Sequence, residues 1–251
     1  MLAGATDDRR ARYSLRPMRP RLPLLAGSAL GLGLLASALV GCGGSSSTGN
    51  GIASKSPAEI VAAAKAAADQ AASVHVSGAI VEGAPLSLDL RLLAGKGGRG
   101  RVTQNGVSFE LISLGGTVYI KGSPAFYRRI GGPAAAQLFQ GKWLKAPATA
   151  GQFAPISRLT DLRKVIDTTL ASHGTLAKGA TTTVSGRKVI AVKDLDKGGV
   201  LYVATTGKPF PAEIARGGAS GGHIVFDQWN QAVTISSPPN AINLNQLQAG
   251  H

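Results

Sequence analysis

Several short patterns in the 251-residue chain have the residue types and spacing of known chemistries. Gly95-Lys96-Gly97-Gly98-Arg99-Gly100 spells G-x-G-x-x-G, a turn that lets backbone amides at a helix start face a pyrophosphate. Here Arg101 to Gln104 and Val107 to Leu111 read as strand, so a hairpin turn is expected instead. Gly218-Ala219-Ser220-Gly221-Gly222 spells G-x-S-x-G, the frame of an esterase nucleophile. That elbow needs strand, sharp turn and then helix, whereas His223 to Trp229 alternates like a strand. Asp194-Leu195-Asp196 sets two carboxylates on one side of a strand or turn, open to a divalent cation or to a plain exposed turn. The four histidines, His75, His173, His223 and His251, lack the i, i+4 or short-loop spacing of metal ligands. The expectation is no catalytic residue, no metal ligand and no cofactor; the protein does not read as an enzyme.

The remaining reactive group is the single thiol, Cys42. Residues 22–41 carry no charge and follow Arg16, Arg19 and Arg21, the order of a basic n-region and an apolar h-region ending in small residues. Their length would also span a bilayer, so an uncleaved anchor is the competing reading. The junction Leu39-Val40-Gly41-Cys42-Gly43 resembles the bacterial lipobox, in which the cysteine takes a diacylglyceryl thioether and signal peptidase II cuts before it. The expectation is a removed signal peptide over 1–41 and lipidation at Cys42, with a free thiol or an intermolecular disulfide as the alternatives. Met18 is a second candidate start, because Met-Arg-Pro-Arg-Leu-Pro is a more usual n-region. Two or three acyl chains, at about 0.8 kcal/mol per buried methylene, would hold the protein firmly on the outer face of the cytoplasmic membrane. The Gly/Ser-rich stretch after Cys42 reads as a tether to residue 55, with a reach of roughly 20 Å. The folded domain is expected over 56–251.

One cysteine excludes a disulfide framework and any multi-cysteine metal site. Removal of residues 1–41 takes away six arginines and two aspartates and lowers the formal net charge from +14 to +10. The remaining cations, among them Arg128-Arg129, Lys142 with Lys145, and Arg158 with Arg163-Lys164, are spread over different segments rather than gathered into a stripe. With few aromatics for stacking, a nucleic-acid partner is not expected. Anionic phospholipid headgroups, at about 1 kcal/mol per well-placed cation, or a merely solvated surface fit this distribution.

Ser56-Pro57-Ala58-Glu59 is a capping box with proline at the first helical position, so a helix is predicted from Pro57 to about Ala72. A second helix is signalled by Thr160-Asp161, by Leu162, Val165, Ile166 and Leu170, and by Gly174 beyond its end. The stretch from Pro124 to Phe139 is helical but broken at Gly131-Gly132-Pro133. Elsewhere the pattern is strand. Leu86-Ser87-Leu88-Asp89-Leu90-Arg91-Leu92 puts four leucines on one face, and Val74 to Val81, Val107 to Ile112, Thr117 to Lys121, Lys188 to Val192, Val200 to Ala204 and Ile224 to Trp229 follow suit. Glycine-rich turns between them imply antiparallel meanders. The result is an α+β domain of about ten strands with two or three helices. So little helix over so much sheet means a sheet packed on itself or an apolar hollow.

Four segments then occur in a telling order. Gly115 to Gly122 resembles a GGxxYxKG hairpin, Gly141-Lys142-Trp143-Leu144-Lys145 a GKWVK strand, and Thr206 to Pro209 with Phe226 to Asn230 a TGLP…FSDWN pair, before the exit Ser237-Pro238-Pro239. Over most of residues 56–245 the chain resembles the actinobacterial LppX/LprG-type lipoproteins, whose fold belongs with the LolA/LolB lipoprotein carriers. Lys208 departs from the pattern, where leucine is commoner. The resemblance implies a curved antiparallel half-barrel wrapped around the helices, with a cavity for acyl chains and no catalytic residues. The function it implies is a membrane-anchored envelope lipoprotein that carries or presents a lipid or other long apolar molecule. The same scaffold with a filled interior would be an envelope sensor or assembly module with a protein partner. Burying a 16-carbon chain such as palmitate is worth about 12 kcal/mol gross, so walls suffice. Candidate wall residues are Leu86, Leu88, Leu90, Leu92, Val107, Phe109, Leu111, Val118, Ile120, Ile224 and Phe226, or else these simply fill a dry core.

Overall fold

A computed structural model describes residues 49–81, 84–151, 153–218 and 221–248. Cys42, the signal segment, the tether to residue 48 and Ser220 of the G-x-S-x-G match lie outside the described residues. In the compact unit Ser45–His251, two meanders are joined edge to edge. The first runs β1 (Ser73–Ile80), β2 (Leu86–Leu93), β3 (Gly97–Gln104), β4 (Val107–Leu114), β5 (Thr117–Gly122) and β6 (Leu144–Pro147). The second runs β7 (Leu176–Val184), β8 (Arg187–Asp194), β9 (Gly199–Ala204), β10 (Pro211–Arg216) and β11 (Gly222–Asp227). Antiparallel pairing of β1 with β11 fuses them, and β12 (Ile242–Asn243) adds a short parallel pairing at β6. The order is β12-β6-β5-β4-β3-β2-β1-β11-β10-β9-β8-β7, twelve strands among the described residues against about ten expected.

The strands that the sequence hides are those without an alternating apolar face. Glycine over 97–100 reads as turn, yet the turn closes by Lys96 and β3 pairs from Gly97 with both neighbours. The edge strand β7 is mostly exposed and polar. Register shifts at Lys178/Thr181 and Pro211/Glu213 mark irregularities of the kind that bend a sheet.

Five helices accompany the sheet: α1 (Pro57–Asp69), α2 (Pro124–Phe139), α3 (Ala154–Arg158), α4 (Leu162–Leu170) and α5 (Leu244–Gln248). The predicted capping box opens α1. The Ser56 hydroxyl accepts the Glu59 N–H at 3.4 Å, and the Glu59 carboxylate accepts the Ser56 N–H at 2.9 Å. The Ser56 hydroxyl and amide hold the Glu59 carboxyl below its ordinary pKa. Ala64, Ala67 and Ala68 are buried, so the helix lies close against the second meander and α4. Asp161 caps α4 by accepting the Lys164 N–H at 3.2 Å. Lys65 ties the two helices together, 2.7 Å from Asp69 on its own helix and 2.7 Å from Asp167 on α4. The compact part also begins earlier than Ser56. Asn50 bonds to the β9–β10 turn through Thr205 and Ala204, and Ile52 is buried in the core.

α2 breaks where expected, at Gly132 with Pro133 following, and closes the β4–β5 side of the sheet. Its anchor is Tyr127, fully buried, whose hydroxyl accepts the Gly122 N–H at 2.9 Å and donates to the Lys142 carbonyl at 3.0 Å. Burial pushes the phenol up from its ordinary pKa. Tyr127→Phe strands two buried backbone groups, so urea denaturation should show a loss of about 1–3 kcal/mol, with the native fold retained.

Candidate ligand cleft

The inner face of the sheet is covered unevenly, and the gap in the cover makes the site. α1 seats on β7, β8 and β10, and α2 seats on β4 and β5. α4 leans chiefly on α1, leaving β1, β2 and β11 without a helix pressed onto them. The space left is a cleft of about 510 Å³ between α4 and these three strands. Its floor is Val76 and Ile80 from β1, Leu86, Leu88, Leu90 and Leu92 from β2, and Ile224 from β11. Its roof is Leu159, Val165, Thr168 and Thr169, and Arg158, Lys164 and Asp167 supply its charged groups.

Strand alternation explains the floor. Successive side chains point to opposite faces, so all four leucines of β2 point inward while Ser87, Asp89 and Arg91 point out. Burial deepens along the strand: Leu86 and Leu88 are half-buried, Leu90 is 2% exposed and Leu92 fully covered. The mouth therefore lies at the β1–β2 hairpin, where Ile80 and Val81 are exposed. Gly78 sits in the floor, paired with Leu88 on one side and Ile224 on the other. It adds no side chain there and leaves room above the backbone.

Five of the candidate wall residues, Leu86, Leu88, Leu90, Leu92 and Ile224, meet in this cleft. The others do not. Phe109, Leu111, Val118, Ile120 and Phe226 are buried in closed packing, and Val107 is half-buried at the start of β4. Phe126 of α2 lies 5.1 Å from the Phe109 ring, and Trp229 lies 6.2 Å from that of Phe226. α2 thus plugs the stretch that sequence alone leaves open. Val76 and Ile80 were readable from the alternation of β1, and Val165 from the helix periodicity. Leu159, Thr168 and Thr169 carry no local signal, because only the tilt of α4 brings them over the floor.

The other candidate chemistries resolve into structure. Gly95 closes the β2–β3 hairpin, and Gly218 to Gly222 joins β10 to β11 with no helix after it. The Asp194 carboxylate accepts the N–H groups of Lys197 at 2.9 Å, Asp196 at 3.0 Å and Gly174 at 3.1 Å. These bonds, that of Lys197 foremost, hold its pKa below the ordinary carboxylate value. Asp196 accepts the Thr175 N–H at 2.7 Å. Both carboxylates therefore serve the backbone of a turn. His75 sits on the outer face between Asp227 at 2.6 Å and Asp89 at 3.0 Å. Among the described residues no group of three or more His, Cys, Asp or Glu is placed to hold a metal ion.

These features define a LolA-like half-barrel with one cleft on its concave side, the fold of the LppX/LprG-type lipoproteins that the sequence resembles. LprF from Mycobacterium bovis is similar in structure, with a TM-score of 0.50 and 15% identity over 72% of this chain and 96% of that one. The Mycobacterium tuberculosis lipoprotein LppX aligns with a TM-score of 0.47 and 18% identity, over 72% of this chain and 100% of that one. No family model matches the chain, and no curated protein matches it in sequence.

Proposed function

We propose that the protein is an envelope lipoprotein, held by acylated Cys42 on the outer face of the cytoplasmic membrane, that carries or presents a long apolar ligand in the cleft beneath α4. The observation that carries this is the cleft itself: about 510 Å³, floored by seven aliphatic side chains. Ligand sites occupy about 300–1,000 Å³, and an apolar floor of this kind gains from every methylene it takes out of water. Arg158 and Lys164 stand among the lining groups of a hollow that is otherwise greasy. The ligand class that suits this arrangement is an acyl chain with an anionic head, the chain along Leu86 to Leu92 and the head at the cations. Binding by walls and a charged rim needs no nucleophile, so the reading is a carrier rather than an enzyme.

A second reading is the same scaffold as a sensor or assembly module without a lipid ligand. It draws on the closed packing around Phe109, Leu111, Val118, Ile120 and Phe226, which fills much of the inner face. Titration with a fluorescent long-chain fatty acid separates the two. The carrier takes up ligand saturably, one per chain, and a module takes up none. The anchor is tested on its own. Cys42→Ala should abolish labelling by an alkyne fatty acid and move the protein from the membrane pellet to the soluble fraction; continued labelling would reject acylation at Cys42.

A further inference from the structure

The outer face of the first meander carries two rows of side chains that run across the strands. One row, Asp89, Arg101, Glu110 and Lys121, is set by the pairings Asp89↔Arg101, Arg101↔Glu110 and Glu110↔Lys121. Its charges alternate and neutralise one another. The next row, Arg91, Arg99, Ile112, Tyr119 and Lys145, is set by Arg91↔Arg99, Arg99↔Ile112, Ile112↔Tyr119 and Tyr119↔Lys145, and it holds no acid. Like charges directly opposite in an antiparallel pair destabilise it, yet Arg91 and Arg99 stand opposite each other. Arg91 donates only to the neutral Gln228 side chain, and among the described residues no carboxylate pairs with Arg99. Both arginines line a shallow cleft of about 460 Å³ with Ile112 and Trp143, on the side of the sheet away from the ligand cleft. Lys121 stands 5.9 Å from the Trp143 ring.

We infer that this row is a docking site for an extended acidic segment of a partner protein, with carboxylates at both ends of an apolar stretch. A guanidinium pair takes a carboxylate in a fork, and the missing counter-charge between Arg91 and Arg99 is what such a group supplies. From Arg91 on β2 to Lys145 on β6 is four inter-strand steps, about 19 Å at ~4.8 Å each. An extended peptide of about six residues covers that distance. Its middle lies on Ile112, Tyr119 and Trp143, and its far acid meets Lys145. A phosphate headgroup would need the arginine pair alone, so the apolar middle and the distant lysine favour a peptide. The site stands independently of whether the inner cleft holds lipid.

The test uses the chain from Ser45 onward, whose core is drawn from its own residues, and a fluorescein-labelled peptide Asp-Glu-Leu-Phe-Glu-Asp followed by anisotropy. A peptide with lysine for each acid is the control. The acidic peptide should bind and the basic one should not. Arg99→Thr and Arg91→Thr should each weaken binding about ten-fold, the loss expected for one charge-assisted bond. Trp143→Ala and Lys145→Thr should weaken it several-fold. Arg99→Thr should also raise the melting midpoint of the free protein by relieving the opposed charges. Equal binding of both peptides, or binding indifferent to Arg99→Thr, would overturn the proposal. Capture by phosphatidylglycerol vesicles that depends on Arg91 and Arg99 but not on Trp143 or Lys145 would likewise overturn it, in favour of a lipid headgroup.

Discussion

Gly78→Ala should be among the most destabilising single changes in the domain, with a loss of at least about 3 kcal/mol in urea unfolding. Gly78 lies mid-way along β1, the strand that joins the two meanders, with φ at +145°, a region closed to residues with a side chain. A Cβ there would sit 2.1 Å from the His223 carbonyl oxygen and 3.0 Å from the Ile224 Cα, both backbone atoms that cannot swing aside. The β1–β11 pairing must open, and with it the seam between the two halves. Against a total stability of about 5–15 kcal/mol, that leaves little folded protein at growth temperature. Gly106 is the control. It also has positive φ, at +75°, but open space around it. Gly106→Ala should therefore cost only the left-handed penalty of about 1–2 kcal/mol. Equal losses at the two positions would mean that the seam does not bear on stability as described.

Leu88→Trp should remove ligand uptake while leaving the fold in place. Leu88 is half-buried in the cleft floor and pairs with Gly78, so an indole there can lie over a position that has no side chain of its own. The change exchanges one apolar group for a larger one at a site with empty volume beside it, which spares the core the strain of overpacking. The affinity for a fluorescent long-chain fatty acid should fall about ten-fold or more, which corresponds to ~1.4 kcal/mol or above. Ile112→Trp, on the outer face, should leave uptake unchanged. A Leu88→Trp protein that melts normally and binds fatty acid as before would place the ligand elsewhere or nowhere.

Much of this architecture is written locally, and the parts that are not have physical reasons. Ser56 with Glu59, and Asp161 before Leu162, announce their helices because a cap is a bond between residues three apart. The leucines of β2 announce their face because alternation is a property of the strand alone. Which part of that face stays open is settled by distant pairings. Tyr127 bonds to Gly122 and Lys142, bringing α2 down over Phe109, while Lys65 bonds to Asp167 and keeps α4 beside α1. No period in the sequence encodes those choices, so the wall residues read from alternation divide between a cleft and a closed core. Ile52 escaped notice for a related reason. It is one apolar residue in a Gly/Ser-rich stretch, and only the turn at Thr205 gives it a place to be buried.

Native mass spectrometry of the chain from Ser45, purified from lipid-containing cells, tests the central claim most directly. The cleft predicts a co-purifying apolar mass that vanishes on organic extraction and is missing from Leu88→Trp prepared in the same way. A bare protein mass from every lipid composition, with wild type and Leu88→Trp indistinguishable, would contradict it.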